Sequence, residues 1–240
     1  MSTLAQMAKI RARDAVFCLR PFCVVFAHPV SHTKSSARWL ARHHADPYVR
    51  EARAQGLPSR SAFKLEEIQQ HDRILRPGMT VVDLGAAPGG WSQVAATHVV
   101  PNGRVFALDI LPMPKATEGP FRGVECIQGD FREPSVSEQL LTKLGGRCVD
   151  LLLSDMAPNL CGIPAVDQPR SMQLAELADE FAQQVLNRGA SLLVKVFQGE
   201  GCDAFLGQLK HHFGTVTVRK PKSSRPESRE VYLLAKRFLL

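Results

Sequence analysis

Seven short apolar or β-branched segments recur along the chain from residue 79 onward, mostly separated by stretches with helical periodicity. The segments span residues 79–85, 103–109, 124–130, 149–155, 190–197, 215–221 and 230–238. Strands that alternate with helices indicate an α/β fold with a seven-stranded, mostly parallel, doubly wound sheet. The loop between the last two segments is too short for a crossover helix, so these strands are predicted to form an antiparallel hairpin at the C-terminus.

A helix is predicted ahead of the first strand, over residues 61–75, where it follows a Gly-Leu-Pro break. We interpret residues 61–240 as one α/β domain and residues 34–60 as a basic segment that precedes it. Residues 1–33 are interpreted as an N-terminal extension that is disordered or mis-assigned.

Charge is distributed unevenly between these regions. Residues 1–60 contain ten Lys or Arg and three acidic residues, whereas residues 61–240 contain 20 of each kind. A basic arm on a neutral domain favours a polyanionic partner, because Lys and Arg gain affinity for nucleic acid by neutralising phosphates. A solvated basic tail explains the same pattern, so charge alone leaves both interpretations open.

The six cysteines include no CxxC pair and have no histidines nearby at metal-ligand spacing. We therefore predict a reducing compartment and no metal site. No apolar run reaches the roughly 18 residues that a membrane span needs, so no membrane association is expected. The predicted location is the cytoplasm, with a mitochondrial location as the alternative if residues 1–30 are a transit peptide.

A glycine-rich turn, GAAPGG, follows the first predicted strand at residues 85–90. It departs from the GxGxxG pattern of dinucleotide sites, which disfavours NAD and hence an oxidoreductase. Gly85 and Gly89 let a ligand approach the backbone closely, and the helix that follows offers free N–H groups to a carboxylate. Trp91, at the start of this helix, either packs against the ligand or joins the helix to the sheet.

Aspartates stand at the carboxyl ends of successive predicted strands, the edge where open α/β sheets bind ligands. Asp109 lies where an acceptor for ribose hydroxyl groups is expected, and Asp130 is placed to accept from an adenine amino group. A lone aspartate after a strand is commonly a turn residue or a helix cap, but a series at equivalent ends argues against that explanation. The turn and these acids together predict S-adenosyl-L-methionine as the cofactor.

Four ionisable residues lie in apolar or strand-like surroundings, where a charge is costly. They are Lys64, Asp155, Lys195 and Glu230. Such placement is typical of catalytic groups. A buried ion-pair cluster that only joins a helix to strands is the alternative.

Five segments combine these features: SRSAFKL, MTVVDLGAAPGGWSQ, LSDMAPN, LLVKVFQGEG and KPKSSRPESREVYLLA. With them the chain resembles the FtsJ family of RNA ribose 2'-O-methyltransferases, in particular its bacterial branch, over about residues 34–236. The resemblance implies a Rossmann-like class I methyltransferase fold. It also implies methylation of the ribose 2'-hydroxyl of a uridine in 23S ribosomal RNA, on the 50S subunit late in ribosome assembly.

The same resemblance implies roles for individual residues. Lys64, Asp155, Lys195 and Glu230 match the family's Lys-Asp-Lys-Glu tetrad, and the residues assigned to the cofactor are Gly89, Trp91, Asp109, Asp130 and Asp155. Because a ribose hydroxyl is a poor nucleophile, we expect Lys195 to act as the general base, with Asp155 orienting it. Lys64 is expected to stabilise the developing alkoxide or a phosphate, and Glu230 to fix a lysine side chain.

Two basic clusters flank the proposed site and are predicted to contact RNA phosphates. They include Arg38, Arg42 and Arg60 in the first cluster and Lys220, Lys222 and Arg225 in the second. Transfer RNA or a messenger cap remains an alternative substrate, and a non-catalytic assembly factor is an alternative of another class. A monomer is expected.

Overall fold

The computed structural model describes residues 46–113, 121 and 123–240. The predicted extension at residues 1–33, and residues 34–45 of the predicted basic segment, lie outside the described residues. Within the described part of the chain, no helix is both long and apolar enough to cross a membrane.

The described strands form one seven-stranded sheet. They are β1 (Thr80–Leu84), β2 (Arg104–Asp109), β3 (Val124–Gln128), β4 (Val149–Ser154), β5 (Leu186–Phe197), β6 (Phe213–Arg219) and β7 (Glu230–Phe238). Their order is β3-β2-β1-β4-β5-β7-β6. Strands β1 to β5 pair in parallel, whereas β7 runs antiparallel to both β5 and β6. The predicted mostly parallel sheet and antiparallel C-terminal hairpin are therefore confirmed.

Helices cover both faces of the sheet. They are α1 (Pro47–Ala54), α2 (Ser61–Asp72), α3 (Gly90–Val99), α4 (Pro134–Leu144), α5 (Pro164–Val185) and α6 (Cys202–His212). Apolar side chains of α2 and α3, such as Leu65 and Val94, pack on one face of the sheet. Those of α4, α5 and α6, such as Leu140, Phe181 and Leu209, pack on the other. This arrangement is the predicted doubly wound architecture.

Helix α2 buries Ala62, Leu65 and Ile68, which lie on one stripe of its surface. The predicted helix extended to residue 75, but the helix ends at Asp72 because Arg73 adopts a left-handed conformation with φ of 51°. The side chain of Gln69 then bonds both backbone groups of Leu75. These bonds satisfy polar groups that further helical turns would otherwise have paired.

Asp72, at the C-terminal end of α2, connects this helix to the β6–β7 hairpin by hydrogen bonds and ion pairs. Arg219 on β6 donates two hydrogen bonds to the Asp72 carboxylate at 2.7 and 2.8 Å, and Lys236 on β7 donates to it at 3.4 Å. The hydrogen bonds and charge of Arg219, aided by Lys236, lower the pKa of Asp72 to about 2. The position of α2 relative to the hairpin is thus fixed by charged groups as well as by apolar packing.

The strand ends that carry the candidate site residues lie at one edge of the sheet. Strands β1 to β5 end there, and β7 begins there because it runs in the opposite direction, with Glu230 opposite Phe197. Residues from the ends of five strands and from the start of β7 therefore meet at this edge, although they are far apart in the sequence.

Candidate active site

The register of β5 and β7 brings polar residues onto one face of the sheet. Lys195 lies opposite Tyr232, and Phe197 lies opposite Glu230. Since side chains two residues apart on a strand point to the same face, Glu230 and Tyr232 project to the side that α2 covers. Lys64 on α2 reaches both of them from above the sheet.

Lys195 and Asp155 form the first ion pair of the site. The Lys195 amine lies 3.0 Å from Asp155 Oδ1 and also donates to the backbone carbonyl of Asp155. Lys195 is 8% exposed, so its amine has little access to water. Two bonds to one residue fix the direction in which this amine points.

Lys64 and Glu230 form the second ion pair, with 2.5 Å between Lys64 Nζ and Glu230 Oε1. Ser224 donates a further hydrogen bond to the same oxygen at 3.0 Å. Burial acts to raise the pKa of Glu230, but the charges of Lys64 and Lys195 and the hydrogen bonds from Lys64 and Ser224 outweigh it. The pKa of Glu230 is therefore lowered, and the carboxylate stays ionised.

Tyr232 joins the two ion pairs, and the sequence analysis did not identify it. Its hydroxyl lies 2.9 Å from Asp155 Oδ1 and 3.2 Å from Glu230 Oε1, and it accepts from Lys64 at 3.2 Å. A phenol has one proton, so it donates to one carboxylate at a time. Burial first, and then the charges of Asp155 and Glu230, raise the pKa of Tyr232 well above its usual value, so it remains protonated.

The structure therefore unites the four predicted residues in one network, with Tyr232 at its centre. The spacing of Glu230 and Tyr232 on one strand was the signal that could have revealed the tyrosine. The catalytic roles of the four residues remain predictions.

A cavity of about 540 Å³ opens beside this network, at the carboxyl ends of β1 to β4. This volume falls within the range of small-molecule sites. Its lining includes Gly85, Asp109, Asp130, Arg132, Asp155 and Arg170. Asp155 thus belongs both to the cavity and to the network of ion pairs.

Asp109 is held in the cavity by backbone groups. Its Oδ2 accepts from the N–H of Ala87 at 2.9 Å, and its Oδ1 accepts from the N–H of Leu111 at 2.8 Å. The glycine-rich turn and the loop after β2 are therefore tied together by one carboxylate. Each oxygen keeps acceptor capacity for a ligand.

Asp130 lines the same cavity and is paired with Arg132, whose guanidinium donates to both of its oxygens. The hydrogen bonds from Arg132 hold the pKa of Asp130 below its usual value. Arg132 is a side chain of the cavity lining that the sequence analysis did not single out.

At the two glycines of the turn, Gly85 and Gly89, other residues of the protein lie close to the backbone. A Cβ on Gly85 would lie 2.8 Å from the backbone of Met156, and one on Gly89 would lie 2.4 Å from the ring of Phe121. Both glycines also have positive φ, 75° and 108°. Larger residues would disturb the turn at either position.

Trp91 is buried between α3, α2 and β7. Its indole N–H donates to the carbonyl of Ser61 at 2.8 Å, and its ring centroid lies 5.4 Å from that of Tyr232. Of the two roles considered for Trp91, the structure shows packing between helix and sheet. Contact with a cofactor remains a prediction.

Asp83, near the end of β1, is fully buried under the site. Ser92 donates to its Oδ2 at 2.6 Å, whereas its Oδ1 has no hydrogen-bond partner among the described residues. Burial, with smaller effects from the charges of Asp155 and Asp109, raises the pKa of Asp83 to about 7 despite the bond from Ser92. It is a buried titratable group close enough to Asp155 and Asp109 to respond to their charges.

The residues predicted to contact RNA differ in their partners and in their exposure to solvent. Arg38 and Arg42 lie outside the described residues. Arg60 is paired with Asp46 and donates to the carbonyl of Ser223, so it is engaged within the protein. Lys220 and Lys222 are exposed and Arg225 is partly exposed.

Known proteins resemble this chain in sequence and in fold. Residues 57–238 match the family model described as FtsJ-like methyltransferase. Proteins named ribosomal RNA large subunit methyltransferase E are similar to this chain in Alkalilimnicola ehrlichii, at 58% identity over 203 residues, and in Xanthomonas oryzae pv. oryzae, at 56% over 204 residues. Each of these alignments covers 85% of this chain and 95% of the relative.

A crystal structure described as a ribosomal RNA methyltransferase from Plasmodium falciparum is similar in fold, with a TM-score of 0.66 and 28% sequence identity. The match covers 76% of this chain and 98% of that one. The family model spans more than half of the chain and includes every strand of the sheet. The chain therefore belongs to the FtsJ-like methyltransferase family, and it is a methyltransferase.

Proposed function

We propose that this protein methylates the ribose 2'-hydroxyl of a uridine in 23S ribosomal RNA, acting on the 50S subunit late in its assembly. The observation that carries the proposal is the position of Asp155, which lines the cavity and also binds Lys195. A methyl donor in the cavity and an amine beside it are the two parts that such a transfer requires. The names of the related proteins support ribosomal RNA as the substrate.

The residues of the cavity fit S-adenosyl-L-methionine, which supplies a methyl group on a positively charged sulfur. Three aspartates, Asp109, Asp130 and Asp155, face the cavity. They outnumber its two arginines, so the lining carries a net negative charge that favours a cation. Asp109 would hold the ribose, and Asp130 would accept from the adenine amino group. The first N–H groups of α3, next to the glycine-rich turn, would bind the carboxylate.

Lys195 is the group that would remove the proton of the attacking hydroxyl. Asp155 holds its amine by two hydrogen bonds, so the nitrogen keeps one direction while the hydroxyl approaches. Proton removal by a positioned side chain typically contributes about 10² to 10⁴ in rate.

Lys64 would stabilise the negative charge that develops on the ribose oxygen. Glu230 binds its amine at 2.5 Å, and Tyr232 accepts from it at 3.2 Å, so this charge is held in place before the substrate arrives. Charge that is already oriented need not reorganise during the reaction.

The test is transfer of a labelled methyl group from S-adenosyl-L-methionine to purified 50S subunits that lack the modification, followed by analysis of the product nucleoside. We expect label in 2'-O-methyluridine with the wild-type protein. Lys195→Ala should reduce the rate at least 100-fold. Lys143→Ala, which changes an exposed lysine on α4 outside the site, serves as the control.

Transfer to transfer RNA but not to 50S subunits would show that the substrate is wrong, although the chemistry is right. A Lys195→Ala variant as active as Lys143→Ala would contradict the assignment of the base. Absence of transfer to any RNA would contradict the proposed function as a whole.

A further inference from the structure

Glu67 on α2 binds the loop that precedes β7. Its Oε2 accepts from the backbone N–H of Lys222 at 2.6 Å, and its Oε1 accepts from the N–H of Ser223 at 2.9 Å. One carboxylate therefore accepts hydrogen bonds from two successive N–H groups of a segment more than 150 residues away in the sequence. Hydrogen bonds to a charged acceptor are stronger than those between neutral groups, so this contact orders the loop.

Arg60, at the start of the same helix, binds a backbone carbonyl group of the loop. Its guanidinium donates to the carbonyl of Ser223 and is itself paired with Asp46. Arg225 lies 3.7 Å from the same Asp46 carboxylate. Ser223 is completely buried and Ser224 nearly so, although both belong to a polar loop.

The other side of the loop contacts the active site. Ser224 donates to Glu230 Oε1 at 3.0 Å, and Ser228 accepts from the N–H of Glu230 at 3.2 Å. Glu67 itself lies three residues after Lys64, one helical turn along the same helix. The position of this loop is therefore coupled to the ion pair between Lys64 and Glu230.

The outward surface of the loop is basic. Residues 220–229 contain four basic side chains and one acidic side chain; the basic ones are Lys220, Lys222, Arg225 and Arg229. Lys222 and Arg229 are exposed. The chemistry of this surface suits phosphate groups, and its contact with Glu230 places those groups next to the site of methyl transfer.

We propose that Glu67 is a positioning residue that holds the loop at residues 220–229 in the shape that binds phosphates of the RNA substrate; the proposal rests on the proposed function above. An ordered loop loses less conformational entropy when it binds, so the fixed backbone raises affinity for RNA. An acidic protein surface is a less suitable partner, because the loop borders a site that must receive a ribose.

The test compares Glu67→Gln with Glu66→Gln in the full-length protein, using the methyl-transfer assay on 50S subunits. Both variants remove one negative charge from neighbouring positions of α2. Glu66 is partly exposed and lies 3.8 Å from His98, away from the loop. A glutamine at position 67 keeps one acceptor oxygen, so it can bind one of the two N–H groups.

We expect Glu67→Gln to raise the KM for 50S subunits about 5- to 20-fold and to change kcat less than threefold. Its Kd for S-adenosyl-L-methionine should be unchanged, and Glu66→Gln should match the wild type. Amide hydrogen exchange at Lys222 and Ser223 should become faster in Glu67→Gln, and this readout does not depend on activity.

Combining Glu67→Gln with Lys222→Ala separates positioning from a general loss of stability. If Glu67 acts through the loop, Lys222→Ala should raise KM less in the Glu67→Gln protein than in the wild type. Equal KM values for Glu67→Gln and Glu66→Gln, or a fall in kcat at unchanged KM, would overturn the inference while leaving the proposed function intact. Failure of the wild-type protein to methylate any RNA would overturn both.

Discussion

The two halves of the active site are built from contacts of very different range. On the cavity side, Asp109 bonds to backbone groups 2 and 22 residues away, and Asp130 pairs with Arg132 two residues later. In the network of ion pairs, the partners of Lys195, Tyr232 and Lys64 lie 40, 77 and 166 residues away. Asp109 and Asp130 are thus held by groups within 22 residues in the sequence, whereas the ion pairs join distant parts of the chain and exist only in the complete fold.

This difference has energetic consequences. Changes at sites without shared partners are additive, whereas changes within one hydrogen-bonded network are coupled, often by about 0.5 to 3 kcal/mol. The effects of substitutions on the cavity side should therefore be independent of one another, and they should mainly change the affinity for the cofactor. Substitutions in the network should alter the geometry of the reacting groups together.

The strongest test of this contrast compares Asp155→Asn with Asp109→Asn. Asp155 binds both Lys195 and Tyr232, so Asp155→Asn should lower kcat about 1000-fold, or about 4 kcal/mol in activation free energy. Asp109→Asn should raise the KM for S-adenosyl-L-methionine about 10- to 100-fold and lower kcat less than tenfold. Steady-state kinetics with both substrates varied gives these values. Similar effects of the two variants on kcat would refute the contrast.

Asp83, which is fully buried beneath the site, should make folding depend on pH. Its pKa in the folded protein is about 7, above the usual 3.8, so the folded state holds a proton that the unfolded state releases between these values. The free energy of unfolding should therefore fall as pH rises from 4 to 7, by up to about 4 kcal/mol from this group.

Asp83→Asn should remove this component of the pH dependence. The measurement is urea unfolding of the cofactor-free protein between pH 4 and 8, with the difference between variant and wild type followed at each pH. Asp150→Asn, on the neighbouring strand β4, is the control. A constant difference between Asp83→Asn and wild type across this range would show that Asp83 does not titrate there.

The smallest expected effect is that of Tyr232→Phe. The variant keeps the aromatic ring against Trp91 but removes the hydroxyl that joins the two ion pairs. We expect kcat to fall about tenfold with unchanged affinity for S-adenosyl-L-methionine, measured by single-turnover kinetics and calorimetry. Tyr48→Phe, on α1 outside the network, should behave as the wild type. An unchanged kcat in Tyr232→Phe would mean that the two ion pairs act independently.

The sequence predicted the strands well because their apolar alternation is a local signal. It did not reveal that β7, rather than β6, pairs with β5. The distinction is nevertheless visible in composition: residues 231–235 of β7 are all buried, whereas β6 has exposed residues at most positions. A continuous apolar run is typical of a strand that is buried on both faces, whereas polar and exposed positions indicate a strand that solvent reaches.

The four charged residues of the network were predictable because charges in apolar segments are unusual. The signal for Tyr232 was weaker: only its spacing from Glu230 indicated it, since a tyrosine in a strand is ordinary. The contact of Arg60 with Ser223 spans 163 residues, and no local pattern indicates it. Arg60 was therefore predicted to contact RNA, although its guanidinium holds a loop of the protein itself; a contact with RNA remains untested.

The place of β7 in the sheet bears on how the protein is made. Of the described elements, β7 is synthesised last, yet it lies inside the sheet and supplies Glu230 and Tyr232. A nascent chain that lacks this strand exposes the edge of β5 and is missing two of the five residues of the network. If Glu230 and Tyr232 have the proposed roles, activity is expected only after β7 has been synthesised, and termination before residue 230 is expected to give an inactive protein that is prone to aggregate.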